Sequence, residues 1–252
     1  TTQAIIGIDQ SDSNKLKLVR GSDIATSTGI TIDASGNVGI GTASPDAKLT
    51  ISDGAILASG STGGTPASGA GTRLMWIPSK AAFRAGYVSG IQWDDGNIGS
   101  YSVAFGKDTK VQDAYSLGVG QGTYTGGGWS FAVGYGSHTT SHYGVAMNYN
   151  TSAGYMATAM GYNTTASGSH SVAMGRSTTA SSDGSVAMGY NFTNNIAYSL
   201  GIGYNDLDIL LNANGDSYFN APGDVGIGTT SPTEKLTITL DDSSTSTVAT
   251  LL

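Results

Sequence analysis

A five-residue phrase returns at a fixed step through the middle of this chain, and no other feature limits the fold as tightly. Its form is Ser-x-Ala-x-Gly or Ser-x-Gly-x-Gly, at Ser102–Gly106, Ser116–Gly120, Ser130–Gly134, Ser171–Gly175, Ser185–Gly189 and Ser199–Gly203. Two looser copies, Gly144–Asn148 and Ala157–Gly161, fill the gap. Starts at 102, 116, 130, 144, 157, 171, 185 and 199 are fourteen residues apart, apart from one step of thirteen. A short fixed period means one small unit stacked on itself. Fourteen residues are too few for a helical repeat and enough for two short strands and two turns. The sequence therefore predicts an all-β solenoid, a parallel β-roll.

Side chains alternate across a strand, so the phrase has two faces. Its third position is always small: Ala104, Gly118, Ala132, Ala146, Ala159, Ala173, Ala187 and Gly201. Its second position is Val103, Leu117, Phe131, Val145, Thr158, Val172, Val186 and Leu200. Its fourth is Phe105, Val119, Val133, Met147, Met160, Met174, Met188 and Ile202. So small a coil encloses room only for the small residues, which places the bulky columns outside. Burying an aliphatic or aromatic side chain stabilises by roughly 1.5–3 kcal/mol, and two such columns left in water exceed what a monomer tolerates. The bulky residues, Thr158 aside, are therefore expected to form an interface with other copies of the chain, closed most simply around a three-fold axis.

Composition removes several alternatives. With 38 Gly, 12% charged residues and Glu234 as the single glutamate, the chain is poor in helix formers and unlike an ordinary enzyme domain. A net charge of −7 argues against a nucleic-acid partner. The regular placing of apolar residues argues against disorder. No run of eighteen apolar residues is present, so no membrane insertion is expected, and nothing at the N-terminus resembles a signal peptide. Opening at Thr1 without a methionine, the chain reads as an internal piece of something longer.

Three further columns accompany the phrase. Thr109, Thr123, Ser137, Thr151, Thr164 and Thr178, then Phe192, follow its Gly by three residues and suit a structural ladder. Tyr101, Tyr115, Trp129, Tyr143, His170 and Tyr198 precede it, interrupted by Met156 and Gly184. Tyr135, Tyr149, Tyr162, Tyr190 and Tyr204 come directly after it, with Arg176 intruding. Stacked aromatics serve either packing or a ligand, and Trp129, Tyr135, Tyr143 and Tyr155 are candidates for stacking on sugar rings. Arg73–Gly99 differs in style from its surroundings, and supplies Trp76, Arg84 and Trp93 as further candidate ligand contacts. The same segment also suits a cap over the open first coil.

The Ser-Val-Ala-Met-Gly phrase at its fixed period resembles the head repeats of YadA-type trimeric adhesins over roughly 100–204. That resemblance implies left-handed parallel β-rolls, three chains wide. Gly36–Ile51 (GNVGIGTASPDAKLTI) and Gly223–Ile238 (GDVGIGTTSPTEKLTI) resemble a segment common in phage tail fibres, where it forms intertwined shaft strands. On the residues alone, each is two short strands around a turn marked by Pro45 or Pro232. The expected organisation is a β shaft over 1–53, a Gly/Ser-rich connector over 54–71, a cap or junction over 72–100, the roll over 101–204, and a second shaft over 205–252.

Sharper chemistry finds little support. His138 and His142 are four apart but stand on strand and turn, where that spacing makes no zinc motif. The Met column runs in register with Val and Ile and reads as packing rather than a soft-metal site. Asp94/Asp95 and Asp206/Asp208 are the nearest approach to paired carboxylates, set in turn-prone sequence. Asn212–Asp216 lacks the distal Glu of a calcium loop. Asn150, Asn163 and Asn191 match glycosylation acceptors in a Ser/Thr-rich setting that makes such matches common. No metal and no cofactor is expected. The expected function is a non-enzymatic, homotrimeric fibre module for host attachment on a virion tail fibre. Its expected partners are itself, a host surface glycan or protein receptor, and other fibre or virion proteins. A bacterial surface adhesin head is the alternative, and a glycan hydrolase or an ice-binding solenoid are remote ones.

Overall fold

Alternating short strands build the first part of the chain, and the fourteen-residue repeat builds the second. The computed structural model describes residues 3–21, 23–25, 29–206, 208–215, 217–219, 225–227 and 236–238. It comprises two units, Thr1–Ser59 and Gly60–Leu252. The rest of the expected C-terminal shaft, including Glu234 and Asp216, lies outside the described residues.

The first unit is a five-stranded sheet of β1 (Gln3–Asp9), β2 (Lys15–Gly21), β3 (Ile30–Ile32), β4 (Val38–Ile40) and β5 (Leu49–Ile51), in that order. The first four run antiparallel, whereas β4 and β5 are parallel, with Val38 opposite Leu49 and Ile40 opposite Ile51. Val225–Ile227 and Leu236–Ile238 pair in the same parallel register, Val225 opposite Leu236. The described strands of the second copy thus pair as those of the first do.

In the second unit each repeat makes one long and one short strand. The long strands are Val103–Lys107, Leu117–Gln121, Phe131–Tyr135, Val145–Tyr149, Thr158–Tyr162, Val172–Arg176, Val186–Tyr190 and Ser199–Tyr204. They stack parallel and in register, so that Ala132 lies between Gly118 and Ala146. The short strands, from Lys110–Val111 to Thr193–Asn194, stack in parallel as a second sheet. This is the β-solenoid that the period predicts. The thirteen-residue step leaves the ladder intact, since Val145 still faces Thr158 and Tyr149 faces Tyr162. Its missing residue is taken from the turn between Ser152–Ala153 and the next long strand.

The interior is as narrow as the composition demands. Ala104, Ala132, Ala146, Ala159, Ala173 and Ala187 are fully buried, and Thr109, Thr123, Thr151, Thr164 and Thr178 face them from across the coil at 1% exposure or less. A Cβ on Gly118 would come 2.7 Å from Val111 Cγ2, which explains the glycine in that otherwise alanine column. The glycine ending each phrase has a different cause. Gly175 adopts φ +123°, and a Cβ there would meet Gly189 O at 1.9 Å. Asn148 is the exception in that column, at φ 97°. The hydroxyls of Thr109, Thr123, Thr125, Thr139, Thr164 and Thr178 have no hydrogen-bond partner among the described residues. Phrase serines close the corners instead: Ser171, Ser185 and Ser199 each donate to the carbonyl three residues earlier at 2.6–2.7 Å.

A hairpin of β6 (Gly71–Ile77) and β7 (Ala82–Val88) covers the first coil, with β7 joining Val103–Lys107 in parallel. Its inner side and the segment after it supply Met75, Ile77, Val88, Trp93 and Ile98, a cluster of larger side chains than the alanines that line most of the coils. The end of the connector is tied to this cap. Gly63 O accepts from Ser79 N at 2.9 Å, Asp94 Oδ1 accepts from Gly69 N at 2.6 Å, and Asp95 Oδ1 accepts from Thr65 Oγ1 at 2.7 Å. At the other end, Ile209–Asn212 turns back antiparallel on Ser199–Tyr204.

Candidate interaction surfaces

Pleating turns the second and fourth positions of every long strand outward. Val103, Leu117, Phe131, Val145, Val172, Val186 and Leu200 are half-buried, as are Val119, Val133, Met147, Met160 and Met174. Phe105, Met188 and Ile202 are exposed. Register carries the columns past the repeats at both ends. Trp76 pairs with Phe83 and Phe83 with Val103, while Leu200 pairs with Leu211. Leu74, paired with Ala85, extends the fourth-position column, and Ile209 continues it opposite Ile202. Eleven strands therefore share one apolar outer face, about 50 Å long at the usual spacing between strands.

The first unit is built the same way round. Ile6 pairs with Leu18, Leu18 with Ile30, Ile30 with Ile40 and Ile40 with Ile51, all on one face. Ile8, Leu16, Ile32, Val38 and Leu49 form the neighbouring row on that face. Ile6 is 74% exposed and Leu49 58%, while Lys17 and Asp9 on the opposite face are buried. A polar face covered and an aliphatic face open is the reverse of a self-sufficient monomer. Lys17 Nζ lies 2.7 Å from Asp9 Oδ2 and 3.0 Å from Asp12 Oδ2. The hydrogen bond from Lys17 holds the Asp9 carboxyl down to about 2, and the reciprocal bond raises the Lys17 ammonium.

Two aromatic ladders border the apolar face of the roll. Along the N-terminal strand ends, Tyr101, Tyr115, Trp129 and Tyr143 stack at 4.9, 5.0 and 5.5 Å between ring centroids. Each of these residues adopts a left-handed backbone, φ 55–60°, which turns its ring out of the coil. Tyr155 and His170 continue the line edge-on, at 5.9 Å. Along the C-terminal strand ends, Tyr135, Tyr149 and Tyr162 stack at 5.0 and 4.7 Å. Arg176 follows, its Cζ 5.5 Å from the Tyr162 ring centre and 5.4 Å from that of Tyr190, which stacks on Tyr204. Trp129, Tyr135, Tyr143 and Tyr155 are thus exposed, but the faces of Trp129 are taken by Tyr115 and Tyr143. Ring edges and phenol hydroxyls are what the ladders offer to a ligand.

Two of the candidate ligand contacts require correction. Arg84 and Trp93 are fully buried, because the cap needs large side chains to fill the first coil. Arg84 donates to Ser102 O at 2.9 Å, Ser102 Oγ at 2.8 Å and Val111 O at 3.1 Å. Burial pulls its guanidinium down to about 10, still charged at neutral pH. Trp93 Nε1 donates to Thr109 O at 2.9 Å. Trp76 is 36% exposed and belongs to the apolar outer face through its pairing with Phe83.

The remaining motifs also find structural places. Asp95 pairs with Lys80 at 3.1 Å, and Asp208 Oδ2 accepts from Tyr204 N at 2.9 Å. His138 stands edge-on to Tyr124, and His142 lies beside Trp129. Asn150, Asn163 and Asn191 occupy the left-handed turn that Asp108, Gly122, Gly136, Ser177 and Asn205 fill in the other coils. The Thr column lies inside the roll, so it cannot present a flat face to ice.

Comparison with known families agrees with the repeat. Residues 152–178 and 166–191 match two copies of the YadA head domain repeat. No curated protein and no solved structure matches the chain.

Proposed function

We propose that the chain is a non-enzymatic, homotrimeric fibre module that carries or forms a host-attachment surface. The observation that carries this reading is the uncovered apolar face of each unit. In the roll it runs from Trp76 to Leu211, with Thr158 as a polar rung in the second-position column, and in the first unit it spans all five strands. Three copies turned inward about an axis along the coils bury the whole column, and closed symmetry leaves no apolar edge for further growth. The match to YadA head repeats supports an extracellular, adhesin-like role.

The paired Val-Gly-Ile-Gly-Thr segments at either side of the roll favour a virion tail fibre, acting as receptor-binding element or spacer. The roll by itself favours the second reading, a bacterial surface adhesin head. The ladders, which offer hydroxyls and ring edges along both borders, suit a glycan or protein receptor recognised mainly without charge. Binding of the fluorescently labelled module to intact bacteria and to animal cells, with released surface glycans as competitors, tests the attachment reading. Saturable binding to one cell class supports it and identifies the host. Absence of binding to both would leave a spacer role and overturn receptor binding.

A further inference from the structure

Charge is nearly absent from the roll, and where it occurs is informative. Between residues 114 and 205, Arg176 is the only lysine or arginine and Asp183 the only acidic residue. Both stand in one coil, 171–184, at its two opposite borders: Arg176 ends the long strand Val172–Arg176, and Asp183 precedes the turn into Val186–Tyr190. Within the chain they are not paired, and neither has another ion-pair partner among the described residues. Tyr162 and Tyr190 cover both faces of the Arg176 guanidinium, which leaves its in-plane N–H donors as its free polar surface. Asp183 is exposed, with one carboxylate oxygen accepting from Ser169 N at 3.1 Å. Beside it, Gly184 interrupts the aromatic column, and the Tyr198 ring fills the place that a side chain there would take.

We propose that Arg176 of one chain pairs with Asp183 of the neighbouring copy, and that three such pairs fix the axial register of the trimer. This rests on the trimeric reading above and adds the contact that aligns the copies. Rotation about an axis parallel to the roll moves nothing along it, so residues of one coil meet the same coil of the next copy. A three-sided closure is heterologous: the C-terminal strand ends of each copy abut the N-terminal strand ends of the next. Arg176 lies on the first border; Asp183 lies on the second, leading into the next strand, and its carboxylate reaches back to Ser169 N, just ahead of the strand that Arg176 ends. The neighbouring coils around 160–188 differ little in their Val and Met columns, so apolar packing there discriminates weakly against a slip of one rung. A lone pair of opposite charges within an apolar interface is a device that specifies register.

A charge-swap cycle tests this. Arg176→Asp and Asp183→Arg, made singly, each place like charges together and are expected to weaken trimer association at least about tenfold. The double variant restores opposite charges and is expected to recover most of that loss. Trimer dissociation is read by analytical ultracentrifugation, with circular dichroism to show that each exposed-site variant keeps the fold. Singles that assemble like the parent, or a double variant as weak as the singles, would overturn the pairing while leaving the trimer in place. A parent chain that is itself monomeric would overturn the trimeric reading and this pairing together.

Discussion

Arg84 stands opposite Ala104 in the parallel pairing of β7 with Val103–Lys107. A guanidinium therefore occupies the inward rung that a methyl group or a hydrogen fills in the coils that follow. There it donates to the Ser102 and Val111 carbonyls, which also accept from Phe83 N and Gly99 N, and meets no acid. The cap thus ends the roll chemically as well as sterically. Arg84→Ala leaves a cavity and removes the guanidinium's hydrogen bonds, and is expected to destabilise the cap by about 2–4 kcal/mol. In a solenoid each coil touches only its neighbours, so the effect should be local. Amide hydrogen exchange is expected to accelerate in Val103–Lys107 and stay unchanged in Val186–Tyr190; equal protection at both would refute the capping role.

Thr164 illustrates the opposite case, a polar group inside with nothing to bond. Its hydroxyl is buried without a partner among the described residues, as are five others in the two inner columns. Thr164→Val keeps the shape and removes the orphaned group, so a stabilisation of about 1 kcal/mol is expected. Thermal melting checks it. A lowered midpoint would show that the hydroxyl makes a favourable contact.

Asp9 supplies the pH dependence of the first unit. Its carboxyl lies at about 2 in the folded state against an ordinary 3.8, because Lys17 and Ser11 donate to the charged form. A depressed acid contributes stability that is complete above its unfolded value and is lost as pH falls through the folded one. The β1–β2 hairpin should therefore loosen between about pH 4 and pH 2. Asp9→Asn should remove that step from an acid titration followed by NMR of the Lys17 amide. An unchanged titration in the variant would assign the step to another group.

Much of this was legible because β structure has a period of two. Ala132 between Phe131 and Val133 is enough to assign inside and outside, and repetition every fourteen residues excludes a single accidental strand. Ser and Thr at fixed places added that the polar columns are structural. Arg84 and Trp93 were misread for a physical reason: a cation and an aromatic in a non-repeating segment ordinarily mark a surface, and only register shows them beneath the hairpin. Leu74, Trp76, Phe83 and Leu211 were missed as members of the apolar face, since they lie outside the repeat and join it through pairing alone. The left-handed turn at Asp108, Gly122, Gly136 and Asn150 had a readable signal in its Asn, Asp and Gly content. The left-handed aromatics at Tyr101, Tyr115 and Trp129 did not, because bulky residues normally avoid that conformation.

The central claim is that the bulky columns face other copies of the chain, and the direct measurement is molar mass by light scattering. It compares the parent with a variant carrying Val172→Asp and Val186→Asp. The account predicts a mass of three chains for the parent, and loss of that species in the variant, to single chains or to aggregate. Two soluble monomers, equally stable and indifferent to the two carboxylates, would contradict it and show that the apolar face needs no partner.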